Sequence, residues 1–195
     1  MADPAYKLDR RYTYRDYLGW TEAERWELIN GEAWAMSPAP SRRHQAIFRV
    51  LMRLFANFLE GKPCLLYGAP FDVLLPAHAD QLDDEVDTVV QPDIVVVCDR
   101  SRLTDYGLRG APDLVVEIVS PWTSKRDLKD KFELYERHGV REYWLVFPDG
   151  EYLHRYLIVE GGRFGSAEIL VKTGILRCSV LEGLTIEVAE LFSAE

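Results

Sequence analysis

A chain of 195 residues suits one domain with a sizeable core, expected over 1–195 with the core between about 12 and 192. Hydrophobic content of 48% is ordinary for a globular protein, and no apolar stretch approaches the roughly 20 residues of a membrane span, which argues against a membrane partner. With 23 basic and 32 acidic residues the net charge is −9, which counts against a general nucleic-acid coat but not against an enzyme with local basic patches.

The N-terminus, from Met1 to Lys7, lacks the apolar segment of a signal peptide. Tyr12 to Leu18 reads as a short helix capped by Thr13. Arg25 to Met36 reads as a hairpin, because Asn30-Gly31 between apolar runs is a strong two-residue turn signal. A long helix is expected from about Arg42 to Glu60, stopped by Gly61 and Pro63. Its apolar stripe runs through Ile47, Leu51, Phe55 and Phe58, and His44 heads it.

Strands then dominate: Cys64 to Tyr67, Phe71 to Leu75, Thr88 to Val90 and Ile94 to Cys98. Between them, 80–87 is an acidic loop without the glycine and distal glutamate of an EF-hand. Residues 100–110 read as irregular. Leu114 to Val119 is the central apolar run. A second helix is expected from about Ser124 to His138, closed by Gly139, with Ser124 and Asp127 as a capping box. Arg141 to Phe147 follows as a strand, and strand–helix–strand order implies a right-handed crossover and a parallel pair. The remainder to Leu191 reads as β-rich, and Trp20, Trp26 and Trp34 as packing residues. Cys64, Cys98 and Cys178 are far apart and form no CxxC pair. They suggest neither zinc nor a disulfide framework, and a reducing cytoplasm is the simplest home.

Two carboxylates interrupt the apolar runs. Asp93 follows Gln91-Pro92 at the head of Ile94-Val95-Val96-Val97, and Glu117 lies inside Leu114 to Val119. A carboxylate in a buried strand is costly unless paired or bound. In neighbouring strands the two could share a divalent ion, Mg²⁺ or Mn²⁺. The plainer reading makes Asp93 a turn cap and Glu117 half of a buried ion pair. Hydrolysis of a phosphodiester also needs a cation near the phosphate. Lys131 is the candidate, on an inward stripe with Asp127, Leu128, Leu134 and Tyr135, while Lys125 and Lys129 face elsewhere. An Asp127–Lys131 pair within the helix is the alternative. A lone His on an apolar face is usually a core histidine, but His44 could line the site. Glu32, after the hairpin turn, could add an acid or stay an exposed carboxylate.

The ordered set of motifs resembles a known family. Glu27-Leu28-Ile29-Asn30-Gly31-Glu32, His44-Gln45-Ala46-Ile47, Gln91-Pro92-Asp93-Ile94 and Gly110 to Pro121 carry the likeness, and Lys125 to Lys131 and Gly139 to Trp144 continue it. It is similar to the Uma-type restriction endonuclease family of the PD-(D/E)XK nuclease superfamily. That resemblance implies an α/β (α+β) restriction-endonuclease-like fold, a mixed sheet flanked by helices, with metal-dependent phosphodiester hydrolysis. It maps the metal carboxylates onto Asp93 and Glu117, with the carbonyl of Ile118 and waters as further ligands. The superfamily lysine is expected two residues after Glu117, where Val119 stands; the resemblance places it on the next helix, in agreement with Lys131. Trp122 replaces a residue usually small in the family.

The expected activity is therefore a Mg²⁺- or Mn²⁺-dependent endonuclease acting on DNA, with catalytic Asp93, Glu117 and Lys131 and support from Glu32 and His44. Arg42, Arg43, Lys125 and Arg126 are the candidate nucleic-acid contacts. A homodimer would suit duplex cleavage. The competing expectation is a catalytically silent DNA-binding or interaction module that keeps the fold.

Overall fold

Turn chemistry and capping decide the first elements of the computed structural model, which describes residues 10–20, 25–36, 39–120 and 126–193, with backbone alone at 126 and 127. Helix α1 is one turn, Tyr14–Tyr17, where the N–H of Thr13 donates to Asp16 Oδ2 at 3.0 Å. Strands β1 (Trp26–Ile29) and β2 (Glu32–Ala35) form the expected hairpin. Asn30 and Gly31 take φ of 49° and 77°, as a tight two-residue turn requires. Helix α2 (Arg42–Leu59) starts at Ser41, whose side chain accepts from the N–H of His44. It buries Ile47, Leu51 and Phe55.

Next come β3 (Leu65–Gly68), β4 (Asp72–Leu74), β5 (Val89–Val90) and β6 (Ile94–Val97). The 100–110 stretch, expected to be irregular, holds a small hairpin of β7 (Leu103–Thr104) and β8 (Gly107–Arg109). Strands this short leave no alternation to read. Gly107 is what admits β8 beside β4, because a Cβ there would lie 2.1 Å from the carbonyl oxygen of Asp72.

Strand β9 (Leu114–Ile118) precedes a π-helical turn, Arg126–Lys131, that runs into α3 (Phe132–His138). The proposed start at Ser124 lies outside the described residues. Then follow β10 (Glu142–Phe147), β11 (Tyr152–Val159), β12 (Arg163–Phe164), β13 (Glu168–Val171), β14 (Ile175–Arg177) and β15 (Thr185–Glu187). The end of the chain departs from the β-rich expectation: Val188–Phe192 is a helix, α4, too short for its period to show.

The central sheet runs β12-β11-β10-β9-β6-β3, with β13 added on β11. β9 and β10 are parallel around α3, as the strand–helix–strand order implies; β6 is antiparallel to β9. A second sheet runs β2-β1-β5-β4-β8-β7. Alternate residues of the central strands serve two cores. Ile94, Val96, Leu114 and Val116 meet α2 and α4 on one side. Val95, Val97 and Val115 meet the second sheet and α3 on the other. Trp20 and Trp26 pack behind the second sheet, and Trp34 on the α3 side, as packing residues should.

The cysteine reading needs one correction. Cys64 and Cys98 form a disulfide with Cα atoms 4.0 Å apart. The pairing of Leu65 with Val97 brings the adjoining cysteines face to face, so separation along the chain was a poor guide. Cys178 is free and buried. Among the described residues, no helix is long and apolar enough to cross a membrane.

Candidate active site

The antiparallel register of β6 and β9 sets the geometry. Ile94 pairs with Val116 and Val95 with Val115. One step further places Asp93 opposite Glu117, on one face of the sheet. Residues so opposed have Cβ atoms roughly 4.5–5.5 Å apart. Pro92 has no N–H to donate, so the ladder begins only after Asp93. Asp93 Oδ2 accepts two bonds: from the N–H of Ile118 at 2.7 Å and from Nε2 of His44 at 3.2 Å. Oδ1 accepts none among the described residues. The side chain is 21% exposed, so this carboxylate is held firmly yet faces solvent.

Glu117 is deeper. Its Oε1 accepts from Lys131 Nζ at 2.8 Å and from the hydroxyl of Tyr135 at 2.9 Å. Lys131 and Tyr135 are four residues apart, so both project from one face of the helix. Burial, and then the Glu117 charge, push the Tyr135 phenol well above its ordinary range, so it remains a donor. Lys131 also reaches Glu27 Oε1 at 2.8 Å, and that oxygen accepts from the N–H of Gln91. Glu27, Glu117 and Lys131 are each at most 4% exposed. Charges this deep persist only when paired, and removing one partner of a buried pair typically costs 3–5 kcal/mol.

Lys131 does turn inward, but Leu128, placed on the same stripe, is 44% exposed. The π-helical turn shifts the face that the residues before Lys131 present. The side chain of Asp127 lies outside the described residues; the ammonium pairs with Glu117 and Glu27. His44 is a buried helix residue, as an ordinary core histidine would be, yet it bonds Asp93. Glu32 is half-buried in β2, opposite Ile29 in the hairpin register. Besides Glu117, Lys131 meets Glu27, which sequence reasoning passed over. Its signal was available: a carboxylate inside the apolar run Trp26 to Ile29, the same anomaly that singled out Glu117.

Arg43 pairs with Glu151 at 2.8 Å, and Arg42 stands beside it in the first turn of α2, just before His44. Lys125 lies outside the described residues, and so does the side chain of Arg126. Lys129 is exposed. Val119, where the superfamily lysine was expected, is buried among apolar residues. Trp122 lies outside the described residues.

No cluster of three or more His, Cys, Asp or Glu side chains among the described residues is arranged to hold a metal. A smaller donor set still suits Mg²⁺, which keeps several waters and commonly takes only one or two carboxylates. Asp93 and Glu117 offer hard oxygen donors at opposed positions, with Asp93 Oδ1 clear of protein donors. The arrangement fits an ion of that kind.

Comparison with known proteins bears on the fold and the family. An uncharacterized protein of Synechocystis sp. is 29% identical over 133 residues, covering 67% of this chain. The match spans 65% of that relative's length. The crystal structure of a "putative nuclease belonging to DUF820" from Anabaena variabilis ATCC 29413 superposes with a TM-score of 0.73 at 20% identity. It covers 93% of this chain and 97% of that one, so the two share a fold, the mixed restriction-endonuclease-like architecture. The family model Uma2, described as "Putative restriction endonuclease", matches residues 14–189, and the chain belongs to that family.

Proposed function

We propose that the protein is a divalent-metal-dependent endonuclease that hydrolyses phosphodiester bonds in DNA. The observation that carries this reading is Lys131 Nζ, 2.8 Å from Glu117 on the strand position opposite Asp93. Asp93 and Glu117 would hold Mg²⁺ or Mn²⁺, which when bound supplies a Lewis acid and lowers the pKa of its water. The protein's own groups have separable tasks. His44 and the N–H of Ile118 fix the Asp93 carboxylate. Tyr135 and Lys131 fix Glu117. The Lys131 ammonium places positive charge where negative charge develops on the phosphate. Glu27 also holds that ammonium, at 2.8 Å. Arg42 and Arg43 offer a local cationic approach on a chain of net charge −9.

The test is cleavage with Mn²⁺ of supercoiled, linear and single-stranded DNA and of RNA, with Glu117→Ala as the blank. Metal-dependent cutting of DNA that the blank lacks supports the reading. Equal cutting by both proteins, or none by either, removes it. A silent DNA-binding module is the second reading. What favours it is that Lys131 is 3% exposed and shared by two carboxylates, as a purely structural ion triad would be. DNA binding without cleavage under any metal would select it. A homodimer, convenient for cutting two strands, is tested by sedimentation.

A further inference from the structure

A cleft of about 390 Å³ opens near the candidate site, with Asp72, Gln91 and Tyr106 among its lining residues. It is tied to the candidate site through the backbone. The N–H of Ala69 donates to the carbonyl of Asp93 at 2.9 Å, and Pro70, the next residue, lines the cleft. Gln91, two residues before Asp93, lines it too. Two of its walls are aromatic. Tyr67 and Phe71 stack with ring centroids 4.2 Å apart and planes 6° apart. Tyr106, at the tip of the β7–β8 hairpin, is 75% exposed.

The polar lining decides what could enter. It contains Asp72 and Asp105 but no lysine, arginine or histidine, so a phosphate would be repelled. Asp72 Oδ1 accepts from the Tyr17 hydroxyl at 2.9 Å and from Gln91 Nε2 at 2.8 Å. Its Oδ2 accepts nothing among the described residues. A flat neutral ring with an amine edge satisfies both features, since carboxylates accept from the exocyclic amine of cytosine and aromatic side chains stack on any base.

We infer that this cleft receives an unstacked nucleobase carrying an exocyclic amine, from a strand whose phosphate lies at Asp93 and Glu117. The inference rests on nucleic acid being the substrate. It implies a preference for single-stranded or extrahelical bases, because a paired base cannot present this edge and both faces at once. Asp72 orients the base, Tyr106 covers it, and Gln91 links the cleft to Glu27 through its own backbone N–H.

The experiment measures binding alone, in EDTA at pH 8, so that metal and cleavage do not enter. Fluorescein-labelled twelve-nucleotide oligo-dC and oligo-dT are titrated by anisotropy. Wild type should bind oligo-dC the more tightly. Tyr106→Ala should weaken oligo-dC binding about tenfold, the usual loss of one stacking partner. Tyr106 is exposed, so its replacement spares the fold. Asp72→Asn, of the same shape and checked by its unfolding midpoint, should erase the difference between the two oligonucleotides. Equal binding of both by wild type, or a preference untouched by both variants, overturns the inference. So does spermidine binding that Asp72→Asn abolishes while oligonucleotide affinity is unchanged, which would assign the cleft to a cation. No binding to any oligonucleotide, in EDTA or with Ca²⁺ in its place, removes the substrate reading and the cleft with it. Binding without metal-dependent cleavage removes hydrolysis and leaves the cleft standing.

Discussion

Lys131 and Glu27 meet at 2.8 Å in the interior, one from the helix after β9 and the other from the first hairpin. The contact joins the second sheet to the central one at the depth of the candidate site. It also alters what substitution at Lys131 should do. Removing the ammonium leaves Glu27 and Glu117 facing each other without it, so Lys131→Ala should be destabilised by roughly 3–5 kcal/mol as well as inactive. The double variant Lys131→Met with Glu27→Gln should regain most of that stability, because the Glu27 carboxylate no longer faces Glu117 and the stem volume is kept, and should still fail to cleave. Urea midpoints and a Mn²⁺ cleavage assay decide it. A double variant that cuts like wild type would deny Lys131 any part in the chemistry.

Metal binding should depend on Asp93 and Glu117 separately from Lys131. Asp93→Asn and Glu117→Gln should each lower Mn²⁺ affinity at least tenfold by calorimetry. His44→Gln should lower it less, because His44 orients the Asp93 carboxylate rather than meeting the ion. Unchanged affinity in Asp93→Asn would remove this pair as the metal site.

Much of the fold was legible where a local rule governs. The Asn30-Gly31 turn, the long helix after Ser41 and the parallel pair around α3 each follow from a few adjacent residues. Asp93 and Glu117 were legible because a carboxylate in an apolar strand is an energetic anomaly. What escaped depends on long-range pairing. Glu27 sits in an equally apolar run, but its meaning comes from Lys131, which only the packing of two sheets supplies. The β7–β8 hairpin exists because Gly107 can lie against Asp72, a contact that no local pattern announces.

The cysteines give a chemical test of the same point. Burial, with the neighbouring Glu142 charge, pushes the Cys178 thiol up to about 12. It should therefore resist thiol reagents at neutral pH in the native protein. Cys64 and Cys98 should not react either while joined. Titration with a chromogenic disulfide should then find no thiol in the native state, one after unfolding in guanidinium, and three after unfolding with prior reduction. Three thiols on unfolding without a reductant would show that the Cys64–Cys98 bond does not form in the preparation. The reducing compartment expected from the sequence would keep it open.

Stability should fall on mild acidification, and His138 should account for part of the fall. Burial holds its imidazole below the ordinary histidine range, with Arg137 acting in the same direction. The carbonyls of Leu134 and Leu75 and the charge of Asp87 oppose it with less effect. Nδ1 donates to the Leu134 carbonyl at 2.9 Å, which fixes the neutral tautomer with its proton there. The unfolded chain therefore takes up a proton near pH 6.5 while the folded chain still declines it. By linkage, stability is fully present above that pH and is lost as pH falls toward the folded value. His154, also lowered by burial, contributes in the same sense. Urea unfolding midpoints from pH 7.5 to 5 should decline for wild type and decline less for His138→Asn, whose amide can still donate to Leu134. Identical slopes for the two proteins would mean that His138 titrates alike in the folded and unfolded chains.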